Sequence, residues 1–185
     1  MKKFIVLFLT LVVTSLSVFA YTFPRWKTMP LRVYVPQNQG KYTKLMYKAF
    51  DAWQTKSNGL VRFKYVTRQS ESDIYVAFVD YVKGCNSDGA VGCTYTATRN
   101  GFFTQNYIEI GTKETNVKVN SSGKIVKMES GRSDNHLYGV MIHEVGHALG
   151  LEHSDNANSI MYPYDLDQIQ YVTNVDLKLL TNKYR

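Results

Sequence analysis

The residues best suited to chemistry lie in the stretch HEVGHALGLEHS, which begins at His143. His147 comes four residues after His143, so on a helix the two side chains are rotated by only about 40° from each other and share one face. Glu144 follows the first histidine, close to the coordination sphere of a shared ion without being forced into it. This is where a general base would take a proton from water. The spacing predicts a metal-binding pair with a carboxylate beside it.

A third histidine completes the predicted ligand set. Gly150 can adopt the left-handed conformation that ends a helix, so the chain can turn back and present His153 from outside the helix. Three neutral nitrogen ligands leave one tetrahedral position open for water, whose pKa falls to about 7 on a catalytic zinc ion. The short HExxH pattern alone also occurs on helices for packing or surface reasons. A packing or surface role explains the residues less well once Gly150 and His153 are included in the pattern.

The full pattern HExxHxxGxxH, followed by Met161 in a tight turn, resembles the metzincin clan of zinc endopeptidases. Ser154 directly after the third histidine and the run MYPYD from Met161 to Asp165 are most similar to the matrixins. The chain thus resembles a matrix metalloproteinase catalytic domain in a minimal, microbial form. The resemblance covers about residues 30 to 185 and is strongest from His143 onward.

The resemblance implies a secreted zinc-dependent endopeptidase that hydrolyses internal peptide bonds in an extended polypeptide. The roles that it implies are zinc ligands at His143, His147 and His153, a general base at Glu144 and an apolar floor under the metal at Met161. The alternative is a catalytically idle, zinc-containing secreted module for binding or adhesion. An intact Glu144 argues against that alternative, because such a module has no chemical need for the base.

Substrate-binding residues follow from the same resemblance. In the family, the strand at the edge of the cleft pairs with the substrate backbone, which would assign this task to backbone groups of about Ala90 to Tyr95, with Ala90, Val91 and Gly92 as the predicted binding residues. Main-chain hydrogen bonds of this kind bind a peptide with little regard to its sequence. The segment after the methionine turn lines a pocket for a substrate side chain, so Tyr164 is predicted to line it.

Matrixins also carry calcium and a second, structural zinc, so the resemblance raises the possibility of further metal sites in this chain. His136 lies seven residues before His143, about 10 Å along the helix axis, which is too far to share its ion. It is the one spare histidine, so one zinc ion is expected. Asn86, Asp88 and neighbouring glycines could wrap a calcium ion, although an ordinary turn explains them as well.

The N-terminus predicts secretion. Lys2 and Lys3 precede an apolar run that ends in small residues at Val18 and Ala20, as in a cleaved signal peptide over residues 1–20. An uncleaved membrane anchor is the alternative, but the uncharged stretch is short for a span. Cleavage leaves residues 21–185 as a single catalytic domain, expected to be monomeric, free of the membrane, and located outside the cell or in a periplasm.

Charge and cysteines agree with that location. The net charge of +7 falls to +5 without the two N-terminal lysines, and the remaining basic residues are dispersed, so no nucleic-acid partner is expected. Cys85 and Cys93 lie eight residues apart in a glycine-rich loop. We predict a disulfide between them, because the alternatives, two free thiols or a metal pair, fit an oxidising compartment less well.

Hydrophobic periodicity predicts the elements that position the site. Alternation indicates strands near residues 31–35, 61–66, 73–79, 91–98 and 106–112, the last two around an Asn100-Gly101 turn. Three- and four-residue spacing indicates an amphipathic helix over residues 42–57. The order resembles the metzincin fold, which is an α+β fold with a five-stranded twisted mixed sheet of α/β type. A long backing helix, a zinc-binding helix and a small C-terminal subdomain with a Met-turn and a closing helix complete it.

Two local features remain to be decided. NVKV and KIVKM flank a Ser-Ser-Gly turn within residues 112–135, where either an exposed hairpin or an irregular loop fits the sequence. Ser133 or Asp134 can cap the zinc helix, and Thr173 with Asp176 resembles a capping box for the closing helix.

Overall fold

The structure is a computed structural model that describes residues 24–85, 90–119, 122, 125–164 and 169–185. Its elements are, in chain order, β1 (Leu31–Tyr34), α1 (Lys41–Lys56), β2 (Phe63–Tyr65), a 3-10 turn (Gln69–Glu71), β3 (Ile74–Val79), β4 (Gly92–Arg99), β5 (Phe102–Gly111), β6 (Lys113–Val119), β7 (Ile125–Gly131), α2 (Asp134–Ala148) and α3 (Asn174–Tyr184). The predicted signal peptide and the candidate calcium residues Asn86 and Asp88 lie outside the described residues.

The five-stranded sheet has the order β2-β1-β3-β5-β4. Four strands run parallel, and β4 runs antiparallel to β5, to which it is joined by the Asn100-Gly101 turn. Both turn residues have positive φ, at 53° and 77°, as a two-residue hairpin requires. The predicted α+β fold with a mixed sheet is confirmed, and β4 lies at the edge of the sheet.

Helix α1 packs against α2 through the apolar stripe that the sequence predicts. Met46, Ala49, Phe50 and Trp53 are buried on α1. The indole nitrogen of Trp53 also donates a hydrogen bond of 2.9 Å to the backbone oxygen of Ile142, one residue before the first histidine. Helix α1 thus fixes the position of α2 by apolar packing and by one hydrogen bond.

The C-terminal end of α2 is tied to three other parts of the chain. The last carbonyls of a helix have no partner within it. Here the carbonyl of Ala148 accepts bonds from Trp26 Nε1 at 2.8 Å and Asn106 Nδ2 at 2.9 Å, and that of Leu149 accepts one from the Tyr184 hydroxyl at 2.9 Å. The N-terminal segment, the sheet and α3 therefore all hold the point where the helix ends.

The segment after β5 is a hairpin, not an irregular loop. Strands β6 and β7 pair antiparallel from Lys113 opposite Gly131 to Val119 opposite Ile125, as a two-stranded sheet of their own. Of the two interpretations that the sequence left open for this segment, the structure has the hairpin. In the described part of the chain, no helix has the length and apolar character needed to cross a bilayer.

Candidate metal centre

Helix α2 places two of the predicted ligands, and the turn after it places the third. The hydroxyl of Ser133 accepts a bond of 3.2 Å from the amide of His136 and so caps the helix start. At the other end Gly150 has φ 89°, a conformation that favours glycine, and the chain reverses. The ligand atoms of His143, His147 and His153 consequently lie within 4.8 Å of one another.

The hydrogen bonds of His143 and His147 direct their free nitrogens toward each other. Nδ1 of His143 lies 2.7 Å from the carbonyl of Ile160, and Nδ1 of His147 lies 2.7 Å from that of Leu151. A carbonyl only accepts, so each Nδ1 carries the hydrogen and each Nε2 keeps a lone pair. The two Nε2 atoms are 3.0 Å apart. Two lone pairs at that distance suit a shared cation, and backbone-anchored imidazoles of this kind are typical of zinc ligands.

Burial keeps these histidines neutral. It lowers the pKa of His143 to about 3, with a further lowering from the nearby His147 and His153, against the hydrogen bond to Ile160. It lowers the pKa of His147 to about 4 in the same way. Metal binding needs neutral imidazole, so no proton has to be displaced at neutral pH. The donor set therefore fits a zinc ion held by His143, His147 and His153.

Glu144 lies on the same helix but faces strand β4. Its side chain is buried, and one carboxylate oxygen, Oε2, accepts a bond of 2.7 Å from the hydroxyl of Thr94. Burial raises the pKa of Glu144 to about 7, while the Thr94 hydrogen bond lowers it. A carboxyl whose pKa lies near neutral pH can both accept and return a proton. This is the chemistry that the sequence assigns to Glu144.

Met161, for which the resemblance implies a place beneath the metal, packs against helix α2 at Gly146. It is fully buried, and its amide donates to the hydroxyl of Ser159 at 3.0 Å within the turn. Its sulfur occupies the space where Gly146 has no side chain, because a Cβ on Gly146 would overlap Met161 Sδ and lie 3.0 Å from Trp53. The methionine turn and the zinc helix are therefore in direct contact.

A cavity of about 810 Å³ opens over the histidines and Glu144. All four predicted substrate-binding residues line it, namely Ala90, Val91, Gly92 and Tyr164. Tyr164 is 70% exposed, so its ring is available to a ligand. The predicted disulfide between Cys85 and Cys93 is present, and both of its residues also line the cavity.

The sequence profile of the family described as Matrixin matches residues 25–184, which is nearly the whole chain. The chain belongs to the matrixin family. Neutrophil collagenase from Homo sapiens is 30% identical over 147 residues, or 76% of this matrixin and 28% of the collagenase. Matrix metalloproteinase-15 from Homo sapiens is 33% identical over 99 residues, or 52% of this matrixin and 14% of that protein. This matrixin thus spans little more than a quarter of the collagenase.

Some contacts of this matrixin's site were missed by the sequence analysis. The hydroxyl of Thr94 donates a hydrogen bond to the carboxylate of Glu144, 50 residues later in the chain. Pro24 lines the cavity although it is far in sequence from the three histidines. The alternation of β4 was a usable signal for Thr94, since it places Thr94 on the same face as Gly92. No local pattern pointed to Pro24. Asp165 of the family-like run lies outside the described residues.

Replacing Gly146 with alanine is expected to destabilise this matrixin by about 1–3 kcal/mol, because the new methyl group overpacks a core position. Alanine's better helix propensity returns at most about 1 kcal/mol. Urea unfolding of the metal-free protein measures the difference. Gly131→Ala is the control, because a Cβ there meets no atom within 4 Å. Equal stability of the Gly146 and Gly131 variants would contradict the proposed contact with Met161.

Proposed function

We propose that this chain is a secreted zinc-dependent endopeptidase that hydrolyses internal peptide bonds. The observation that carries the proposal is the convergence of three histidine nitrogens within 4.8 Å, in a cavity that also holds a buried carboxylate and the edge strand of the sheet. Membership of a zinc endopeptidase family supports it. The two human relatives are named as a collagenase and a metalloproteinase, and the chain covers 28% and 14% of them.

The roles of the side chains follow from their positions. His143, His147 and His153 would hold one zinc ion, which when bound supplies a Lewis acid that polarises the scissile carbonyl and makes water more acidic. Glu144 accepts the proton of the attacking water. It then returns that proton to the leaving amine, so that it is unchanged at the end of the cycle. Met161 stays out of the reaction and packs against Gly146, on the helix that carries His143 and His147.

The substrate of this proposal is an extended polypeptide. Among the residues that the structure describes, β4 pairs with β5 and is the last strand of the sheet, so its other side offers backbone groups to a ligand. An extended peptide can add to such an edge as a further strand, which would align its backbone with Gly92, where β4 begins, and with Ala90 and Val91 just before it. The Val91 carbonyl itself accepts a hydrogen bond from the amide of Gly111 at 2.7 Å and faces β5. Tyr164 lines the cavity, and we propose that it contacts a substrate side chain next to the cut bond.

Location and assembly belong to the same proposal. The apolar N-terminal run with its two lysines supports export, and the Cys85–Cys93 disulfide supports an oxidising compartment, either extracellular or periplasmic. We further propose that residues 21–185 act as one monomeric catalytic domain without a membrane or nucleic-acid partner. Calcium is not needed for this mechanism, and its candidate residues lie outside the described part of the chain.

Chelation of zinc is expected to abolish cleavage of an unfolded protein such as reduced, alkylated casein. 1,10-Phenanthroline is the suitable chelator because its nitrogen donors prefer transition metals to calcium, which favours oxygen ligands. Activity should return when zinc is restored, and metal analysis should find one zinc ion per chain. Fragments identified by mass spectrometry should come from cuts inside the substrate chain.

The outcomes separate the candidate functions. Zinc binding with one ion per chain but no cleavage would refute the endopeptidase and support an idle binding or adhesion module. Cleavage that survives the chelator would refute the zinc mechanism. The non-chelating isomer 1,7-phenanthroline is the control, since it has the same ring system without the paired nitrogens.

A further inference from the structure

Strand β4 packs against the Glu144 side chain. Residues 92 and 94 point to the same face of the strand because side chains alternate along it. A Cβ on Gly92 would lie 2.6 Å from both Cγ and Oε1 of Glu144, so the absence of a side chain makes room for the carboxylate. Thr94 lies at the other carboxylate oxygen, with its hydroxyl 2.7 Å from Oε2. One oxygen thus faces the glycine and the other faces the threonine.

The threonine bond limits how the carboxylate can turn. The torsion that rotates a Glu carboxylate is broad and has no sharp preferred angle. Among the described residues, the Thr94 hydroxyl is the hydrogen-bond donor found for the Glu144 carboxylate. The same hydroxyl lies 3.0 Å from the backbone oxygen of Glu144, which is a competing acceptor. An ionised carboxylate attracts the hydroxyl hydrogen more strongly than a carbonyl does.

We propose that Thr94 is a positioning residue for the general base: its hydroxyl holds Oε2 and thereby fixes the orientation in which Glu144 meets the attacking water. The proposal rests on the endopeptidase function argued above. It also links two tasks of one strand, because the edge of β4 that would align the substrate backbone carries the residue that aligns the base. A small error in such an alignment is costly, since a displacement of about 1 Å can slow a reaction about 100-fold.

The first test compares Thr94→Val with Thr94→Ser in the zinc-loaded enzyme. Valine keeps the shape and removes the hydroxyl, so kcat should fall about 10- to 100-fold while KM and zinc content change by less than about twofold. Serine keeps the hydroxyl and should restore kcat to within about threefold of the wild type. Thr98→Val on the same strand is the matched control, because Thr98 is exposed and does not line the cavity. An unchanged kcat in Thr94→Val would overturn the proposal.

The second test needs no activity. In the metal-free protein, Thr94→Val should lower the urea midpoint of the wild type and lower it much less in a Glu144→Ala background. Such a double-mutant cycle isolates the side-chain pair from everything else that the threonine touches. An equal drop in both backgrounds would show that the hydroxyl serves the backbone oxygen of Glu144, and would overturn the proposal.

These experiments distinguish failure of the endopeptidase proposal from failure of the Thr94 proposal. A wild-type enzyme that cleaves nothing refutes the endopeptidase function and, with it, the base that Thr94 would position. A wild-type enzyme that cleaves, together with a fully active Thr94→Val variant, refutes only the role of Thr94.

Discussion

Glu144→Gln is expected to bind zinc like the wild type and to lose about 10²- to 10⁴-fold in kcat, the range that general acid–base catalysis contributes. The amide has nearly the size of the carboxylate, so it fits the space beside Gly92. Its oxygen can still accept the bond from Thr94, which lies 2.7 Å from Oε2 in the wild type. What it lacks is the ability to take a proton from water. The loss should therefore appear in kcat, with KM nearly unchanged.

Two measurements check this expectation together. Metal analysis should find the same zinc content in the variant and the wild type, and casein cleavage should differ by the stated factor. Glu71→Gln is the control, because Glu71 pairs with Arg68 in the 3-10 turn and does not line the cavity. A Glu144→Gln variant that cleaves at the wild-type rate would remove Glu144 from the mechanism. A variant without zinc would instead show that Glu144 helps to form the metal site.

The candidate site was predictable because most of it is local in sequence. His143 and His147 share a face through the helical repeat alone, and Gly150 returns the chain within one turn because it tolerates φ 89°. The end signals were also local, as the caps at Ser133 and Thr173 show. Where neighbouring residues decide the geometry, the sequence pattern predicted it correctly.

The partners of those residues were not predictable in the same way. The carbonyls that anchor His143 and His147 belong to Ile160 and Leu151, and any residue type can offer a carbonyl. Strand order has the same difficulty: alternation located β1, β3 and β5, but their parallel pairing depends on the connections between them and on packing. The histidine–carbonyl contacts and the strand pairing depend on the tertiary structure, which the spacing of residues in the sequence does not reveal.

Asp176 illustrates this limit, because the sequence indicated its capping role but not its contact with the metal site. It is fully buried at the start of α3 and accepts hydrogen bonds from Ser159 Oγ, from the amide of Ile160 at 3.2 Å and from the amide of Thr173 at 2.7 Å. Ile160 in turn offers the carbonyl that holds His143. One carboxylate therefore connects the closing helix, the methionine turn and a zinc ligand.

Asp176→Ala is expected to lower the free energy of unfolding by about 2–5 kcal/mol. The change leaves the buried donors of Ser159 and Ile160 and the partly buried amide of Thr173 without their acceptor. Each orphaned buried donor costs about 1–3 kcal/mol, part of which rearrangement or water recovers. Urea unfolding of the metal-free protein measures this loss. Zinc affinity should also fall, by about 10-fold, because groups that orient a ligand typically contribute 10- to 100-fold.

The control for this prediction is Asp155→Ala, since Asp155 is exposed and its removal should change stability by no more than about 0.5 kcal/mol. The two readouts of Asp176→Ala distinguish its roles. A large loss of stability with unchanged zinc affinity would mean that the methionine turn keeps Ile160 in place without Asp176. Because Met161 packs directly on Gly146 of the zinc helix, we expect instead that loosening the turn loosens His143, so that stability and zinc affinity fall together.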